Sequence, residues 1–149
     1  METLPYRDMS DQDRQLLAAA RDASADAYAP YSGVQVGAAI RTRDGHVVTA
    51  ANVENAAYGS TICAERMAVG RANATGARAF TDIAIAATGA ILGVGQVVAP
   101  CGACRQVLHE MAAVTGTRTR VVMATAGTEQ VTIASIDELL PLPFHVLSR

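Results

Sequence analysis

Residues 81–87 read Thr81-Asp82-Ile83-Ala84-Ile85-Ala86-Ala87, and residues 100–104 read Pro100-Cys101-Gly102-Ala103-Cys104. The first stretch alternates Ile and Ala with β character and predicts a buried strand. The second opens a helix predicted over 102–114, stopped by Gly116, and the Gly-rich connection 89–100 between them leaves room for a short extended piece at 96–98. Upstream, a helix is predicted from Cys63 to Ala74 with Gly76 just beyond it. Downstream, strands are predicted over 120–124 and 130–134 around the turn Ala126-Gly127, with a short turn at 137–140 ending at Pro141. Toward the N-terminus, 36–43 and 46–51 are β-rich and joined by Asp44-Gly45, a hairpin signal. The run 52–60 has little periodicity and reads as a loop. The first helix is expected to be capped by Ser10, to present Leu16, Leu17, Ala20, Ala23 and Ala27 on one side, and to be closed by Pro30.

The resulting order, α-β-β-α-β-α-β-β-α, demands crossovers between strands. It predicts one α/β domain over 1–149: a three-layer α/β/α sandwich whose mixed sheet of about five strands has helices on both faces. The hairpin should form an antiparallel edge.

The 149 residues carry 12 Lys+Arg and 14 Asp+Glu, a net charge of −2, and 50% are apolar. That composition excludes a disordered chain. Charged residues reach only 17%, below the roughly 25% of an average soluble domain, so some apolar surface should be covered by a subunit interface. A near-neutral balance with 4% aromatics and no Trp argues against nucleic-acid binding. No apolar window is long enough to span a membrane, and the polar start 1–10 lacks a secretory pattern. The three cysteines are therefore expected as reduced thiols in a cytoplasm.

All three fall at predicted helix starts. Cys101 and Cys104 are one helical turn apart, and the positive helix end favours the thiolates that bind metal. With Cys63 they offer three sulfurs and no fourth cysteine, the pattern of a catalytic Zn²⁺ with one open position. His109 as a fourth ligand lies too far round the helix from Cys104. Glu65 follows Cys63 by two residues; in a first helical turn it can reach beside the metal and move a proton between water and substrate. Arg66 and Arg105 follow these motifs directly, and hydrogen bonds from them to the sulfurs would offset the thiolate charge. Two other readings stand: a non-catalytic zinc-stabilised module, and a thiol redox protein using Cys101 and Cys104. His46 and His145 read as surface residues, the methionines as packing, and Gly93-Val94-Gly95 is no dinucleotide loop.

Six stretches together carry a resemblance: Ala29-Pro30-Tyr31-Ser32, Val36-Gly37-Ala38-Ala39, Asn52-Val53-Glu54-Asn55-Ala56-Ala57-Tyr58, Cys63-Ala64-Glu65-Arg66, Pro100 through Gln106, and Leu139-Leu140-Pro141 with Phe144. In this order, from about residue 15 to 144, the sequence resembles the small zinc-dependent cytidine deaminases of nucleoside salvage. The resemblance implies hydrolytic deamination of cytidine or deoxycytidine to the uridine product and ammonia, one Zn²⁺ per chain, and a homotetramer with shared active sites. It implies that Asn52 and Glu54 bind the ribose hydroxyl and that Ala64 touches substrate. It further implies that Ala56 and Tyr58 reach toward an adjacent site and that Phe144 lends a ring to the base in another subunit. One departure stands out: Val34 occupies the position where that family usually packs a Phe on the pyrimidine. The loss widens the pocket and admits an alternative substrate, a modified cytosine nucleoside or a blasticidin-type antibiotic, although Asn52-Val53-Glu54-Asn55 favours a plain nucleoside.

Overall fold

The computed structural model describes residues 1–145. Its strands are β1 (Glu2–Pro5), β2 (Gln35–Thr42), β3 (Val47–Ala51), β4 (Phe80–Thr88), β5 (Arg120–Ala124) and β6 (Gln130–Ser135). The helices are α1 (Asp11–Ala23), α2 (Ala64–Ala74), α3 (Gly102–Thr115) and the single turn α4 (Ile136–Leu139). One six-stranded sheet runs in the order β1-β6-β5-β4-β2-β3. Only β4 and β5 pair in parallel, across the crossover that contains α3; the other four pairings are antiparallel.

The Ile/Ala alternation of β4 becomes the two faces of the sandwich. Ile83 and Ile85 point into a core with Ala64, Ala68 and Val69 of α2 and Leu108 and Ala112 of α3. Ala84 and Ala86 point the other way, beneath Leu16, Leu17 and Ala20 of α1. Small residues on that second face bring α1 close to the sheet. At Gly37 the approach is closest: a Cβ there would lie 1.9 Å from the Ala20 carbonyl oxygen. The three-layer expectation and the hairpin edge are thus what the chain forms.

Three expectations need correction. The sheet has six strands where about five were expected, because β1 adds antiparallel to β6 with Glu2 opposite Ile133 and Leu4 opposite Val131. Four residues carry no legible alternation; the partner strand makes them β. The first helix stops at Ala23, well before Pro30, and passes into a 3-10 turn at Ser24–Asp26. There the Ser24 hydroxyl donates to the Arg21 carbonyl at 2.7 Å, and Tyr28 N–H is drawn away to the Asn52 carbonyl at 3.0 Å. Ala27 is therefore extended, not helical. Finally, Cys63 is the N-cap of α2 and not its first residue.

A cluster of charges closes the bottom of the α1 face. Arg120 donates to Asp82 at 2.8 Å and to Asp13 at 3.1 and 3.3 Å, and Arg41 stands 3.6 Å from Asp82. Among the described residues no helix is long and apolar enough to cross a membrane.

Candidate metal centre and substrate cavity

Two helix starts converge at the end of the sheet where β4 runs out. Cys63 caps α2 and Cys101 caps α3, both with extended backbone. N-cap side chains usually accept a hydrogen bond from the first turn. Neither thiol does so, which leaves both sulfurs free to face one another at 4.0 Å. Cys104, fully buried one turn into α3, completes a triad whose sulfurs lie within 4.8 Å of each other. Tetrahedral Zn²⁺ with Zn–S near 2.3 Å needs sulfurs roughly 3.8 Å apart, so the triad fits that ion. It is the only cluster of three such ligands among the described residues. His109 stands apart from it, with Nε2 3.3 Å from His145 Nδ1.

The electrostatics favour the thiolate at Cys63. Hydrogen bonding with Cys104 draws the Cys63 thiol down to about 6, and the same contact, together with burial, pushes Cys104 up. Glu65, in the first turn of α2, is 5% exposed, and burial raises its carboxyl above the usual range. Such a group holds and releases protons nearer neutrality, as general acid–base work requires.

A cavity of about 370 Å³ opens over the triad. Cys63, Cys101 and Glu65 line it together with Ser32, Asn52 and Glu54. The rest of the lining is largely aliphatic, Val34, Val36, Ile85, Ile91, Leu92 and Val98, with Thr61 and the exposed Tyr58. A mainly apolar cleft with a few convergent polar groups is how small-molecule sites are built.

Several side chains do more than the sequence suggested. Asn52 accepts from Val36 N–H at 2.8 Å and donates to the Val34 carbonyl at 3.0 Å, so it clips the start of β2 to the 52–54 loop. One N–H of its amide remains for a ligand. Glu54 accepts from the Tyr31 and Ser32 N–H groups at 2.9 and 3.3 Å and from the Ser32 hydroxyl. These bonds, the hydroxyl's first, hold its carboxyl below the usual range. The carboxylate is thus ionised and fixed against the turn that leads to Val34.

The arginines behave differently from expectation. Arg105 donates Nε to the Pro100 carbonyl at 2.8 Å and Nη1 to the Leu139 carbonyl at 2.9 Å. It braces the loop entering Cys101 and makes no bond to sulfur, because carbonyls stand nearer its fork. Arg66 is exposed and acts on Cys63 only through its charge. Ala64 is buried at the start of α2, Ala56 is exposed, and Tyr58 is 69% exposed in a 3-10 turn. Phe144 lies outside its own chain's cavity and is 74% exposed. Sequence reading missed Ser32, which orients Glu54, and the wall residues Ile91 and Leu92. A serine in a turn and two aliphatics in a Gly-rich loop carry no chemical signature on their own.

Comparison with known proteins agrees with this geometry. Residues 10–124 match the family model described as the cytidine and deoxycytidylate deaminase zinc-binding region. A cytidine deaminase of Halalkalibacterium halodurans is 48% identical over 100 residues, covering 66% of this chain and 72% of that protein. A cytidine deaminase of Mycobacterium tuberculosis is 47% identical over 91 residues, 61% of this chain and 65% of that protein. A blasticidin-S deaminase of Bacillus cereus is 35% identical over 80 residues, 52% of this chain and 57% of that protein. The crystal structure of cytidine deaminase from Burkholderia pseudomallei superposes with a TM-score of 0.78 at 40% identity, covering 91% of this chain and all of that one. The residues matched by the family model include the whole cysteine triad and Glu65, and the chain belongs to the cytidine and deoxycytidylate deaminase family of zinc-binding proteins.

Proposed function

We propose that this chain hydrolyses the exocyclic amine of a cytosine nucleoside, cytidine or deoxycytidine, giving the uracil nucleoside and ammonia. The observation that carries the reading is the one cavity lined by Glu65, two of the three clustered sulfurs, Asn52 and Glu54. Cys63, Cys101 and Cys104 would hold one Zn²⁺ per chain. When bound, the ion supplies Lewis acidity that makes water nucleophilic at neutral pH.

The protein's own residues do the rest. Glu65 accepts a proton from the attacking water and delivers it to ring N3 as the C4–O bond forms. It then takes the second proton from the C4 hydroxyl and passes it to the amine, so that the C4–N bond breaks as the C4 carbonyl forms and ammonia leaves. Glu54, ionised and held by Ser32, offers a lone pair to a sugar hydroxyl, and Asn52 offers its remaining N–H. The aliphatic wall, Val34 included, packs on the base. The peptide of buried Ala64 adjoins the base edge.

Further parts of the reading need a second copy. The exposed rings of Tyr58 and Phe144, with Ala56, serve adjacent sites in a homotetramer, and the protein works in the cytoplasm. Arg66 tempers the Cys63 thiolate charge from a distance, and Arg105 holds the Pro100 loop that leads into Cys101.

The test is direct. Purified protein should contain about one zinc per chain and should lower the ultraviolet absorbance of cytidine. Glu65→Gln should retain the metal and lose about 10²–10⁴-fold in kcat. A metal-free protein with a reversible Cys101–Cys104 disulfide, or full activity in Glu65→Gln, would defeat the reading. A panel of cytidine, deoxycytidine, 5-substituted cytidines and blasticidin S ranks the substrates. Val34→Phe should tighten unmodified cytidine by restoring a ring contact.

A further inference from the structure

The side chains that follow Cys104 reach the last described segment of the chain. Arg105 bonds to the Leu139 carbonyl, and Gln106 closes a two-bond clamp on one residue. Phe144 N–H donates to Gln106 Oε1 at 3.0 Å, and Gln106 Nε2 donates to the Phe144 carbonyl at 2.9 Å. Yet Phe144 is 74% exposed and stands outside its own chain's cavity. Fixing the backbone of a residue costs conformational entropy. Here that ordering secures no ring burial within the chain. What it secures is the place from which the ring projects.

We propose that Gln106 is a positioning residue for substrate binding, acting through Phe144. The inference rests on the deaminase reading above, in which this ring packs on the base in a neighbouring copy. A planar carboxamide carries one acceptor and one donor side by side, the complement of a main-chain N–H and C=O. No other side chain of that length does. Gln106 also sits two residues from Cys104 on the same helix, so the clamp sets the ring relative to a rigid element that begins at the metal centre.

The test is a double-mutant cycle read as KM against kcat, with zinc content and oligomeric state measured for every variant. Phe144→Ala should raise the KM for cytidine about fivefold, the size of one aromatic contact, with kcat changed less. Gln106→Met, similar in shape but with neither hydrogen bond, should raise KM by a similar factor. The double variant should be no worse than Phe144→Ala alone, because the clamp then has nothing to position. Gln106→Glu keeps the acceptor and loses the donor, and should fall between wild type and Gln106→Met; it also serves if Gln106→Met fails to fold. An unchanged KM in both Gln106 variants, or effects of Gln106→Met and Phe144→Ala that multiply, would overturn the proposal. An unchanged KM in Phe144→Ala would overturn the ring's contact with substrate and this proposal with it. Turnover by wild type and its loss in Glu65→Gln report on the deaminase reading separately.

Discussion

Replacing Gly37 by Ala should unseat α1 from the sheet. The added Cβ would lie 1.9 Å from the Ala20 carbonyl oxygen and 2.6 Å from the Ser24 nitrogen. Carbon and oxygen approach to roughly 3.3 Å without a clash, so helix or strand must retreat by more than ~1 Å. Both atoms in the way are backbone, and they form the hydrogen bond that ends α1. No flexible side chain can yield. Overpacking of this kind costs about 1–3 kcal/mol, and rigid surroundings place Gly37→Ala near the upper end. For a chain of this length each kcal/mol moves Tm by roughly 2–4 °C, giving a fall of about 6–12 °C. The site should feel it too. Asn52 clips Val34 and Val36 to the 52–54 loop, so a displaced β2 loosens the wall beside Glu54 and raises the KM for cytidine. Thermal melts followed by circular dichroism at matched zinc content measure the first effect, and steady-state kinetics the second. A variant that melts within a degree of wild type would refute the close-packing account of this face.

Three further outcomes follow from the site and its support. Cys104→Ser should lower zinc content well below that of wild type and abolish turnover, as should chelation of the wild-type metal; full occupancy measured by atomic absorption would remove Cys104 from the ligand set. The Glu54 carboxyl is held below the usual range by the Ser32 hydroxyl and the Tyr31 N–H, so its stabilisation is complete above the ordinary glutamate range and is lost as pH falls through the folded value. Glu54→Gln should therefore flatten the acid limb of urea-melt stability against pH, and an unaltered limb would show that these bonds do not select the ionised form. Asp82→Asn should cost about 1–2 kcal/mol by weakening the hydrogen bond to Arg120 and removing the charge that faces Arg41, a figure lowered because the Arg120 side chain is 46% exposed. If denaturant melts find no loss, the charged cluster contributes solubility and not stability.

The metal centre was legible because its chemistry is local. A C-x₂-C pair at a helix start specifies its own geometry, and a second helix start carries one more sulfur, Cys63, with an acid, Glu65, two residues on. Asn52 and Glu54 were legible only in part. Their residue types announce hydrogen bonding, but whether the partner is a ligand or the chain's own backbone depends on neighbours distant in sequence. Most of their capacity goes to Val34, Val36, Tyr31 and Ser32. Arg105 shows the same limit. Adjacent to Cys104 in sequence, its fork nonetheless finds the carbonyls of Pro100 and Leu139.

By itself the sequence determined the α/β class, the three sulfurs and the acid beside them, since alternation, helix starts and ligand spacing are properties of short segments. Only the tertiary structure decided that residues 2–5 form a strand, that α1 ends at Ala23, and that Gln106 grips Phe144 across 38 positions. Each of these depends on which backbone groups lie within hydrogen-bonding distance once the sheet is assembled, and that distance is set by the packing of the layers, not by the residues' own preferences.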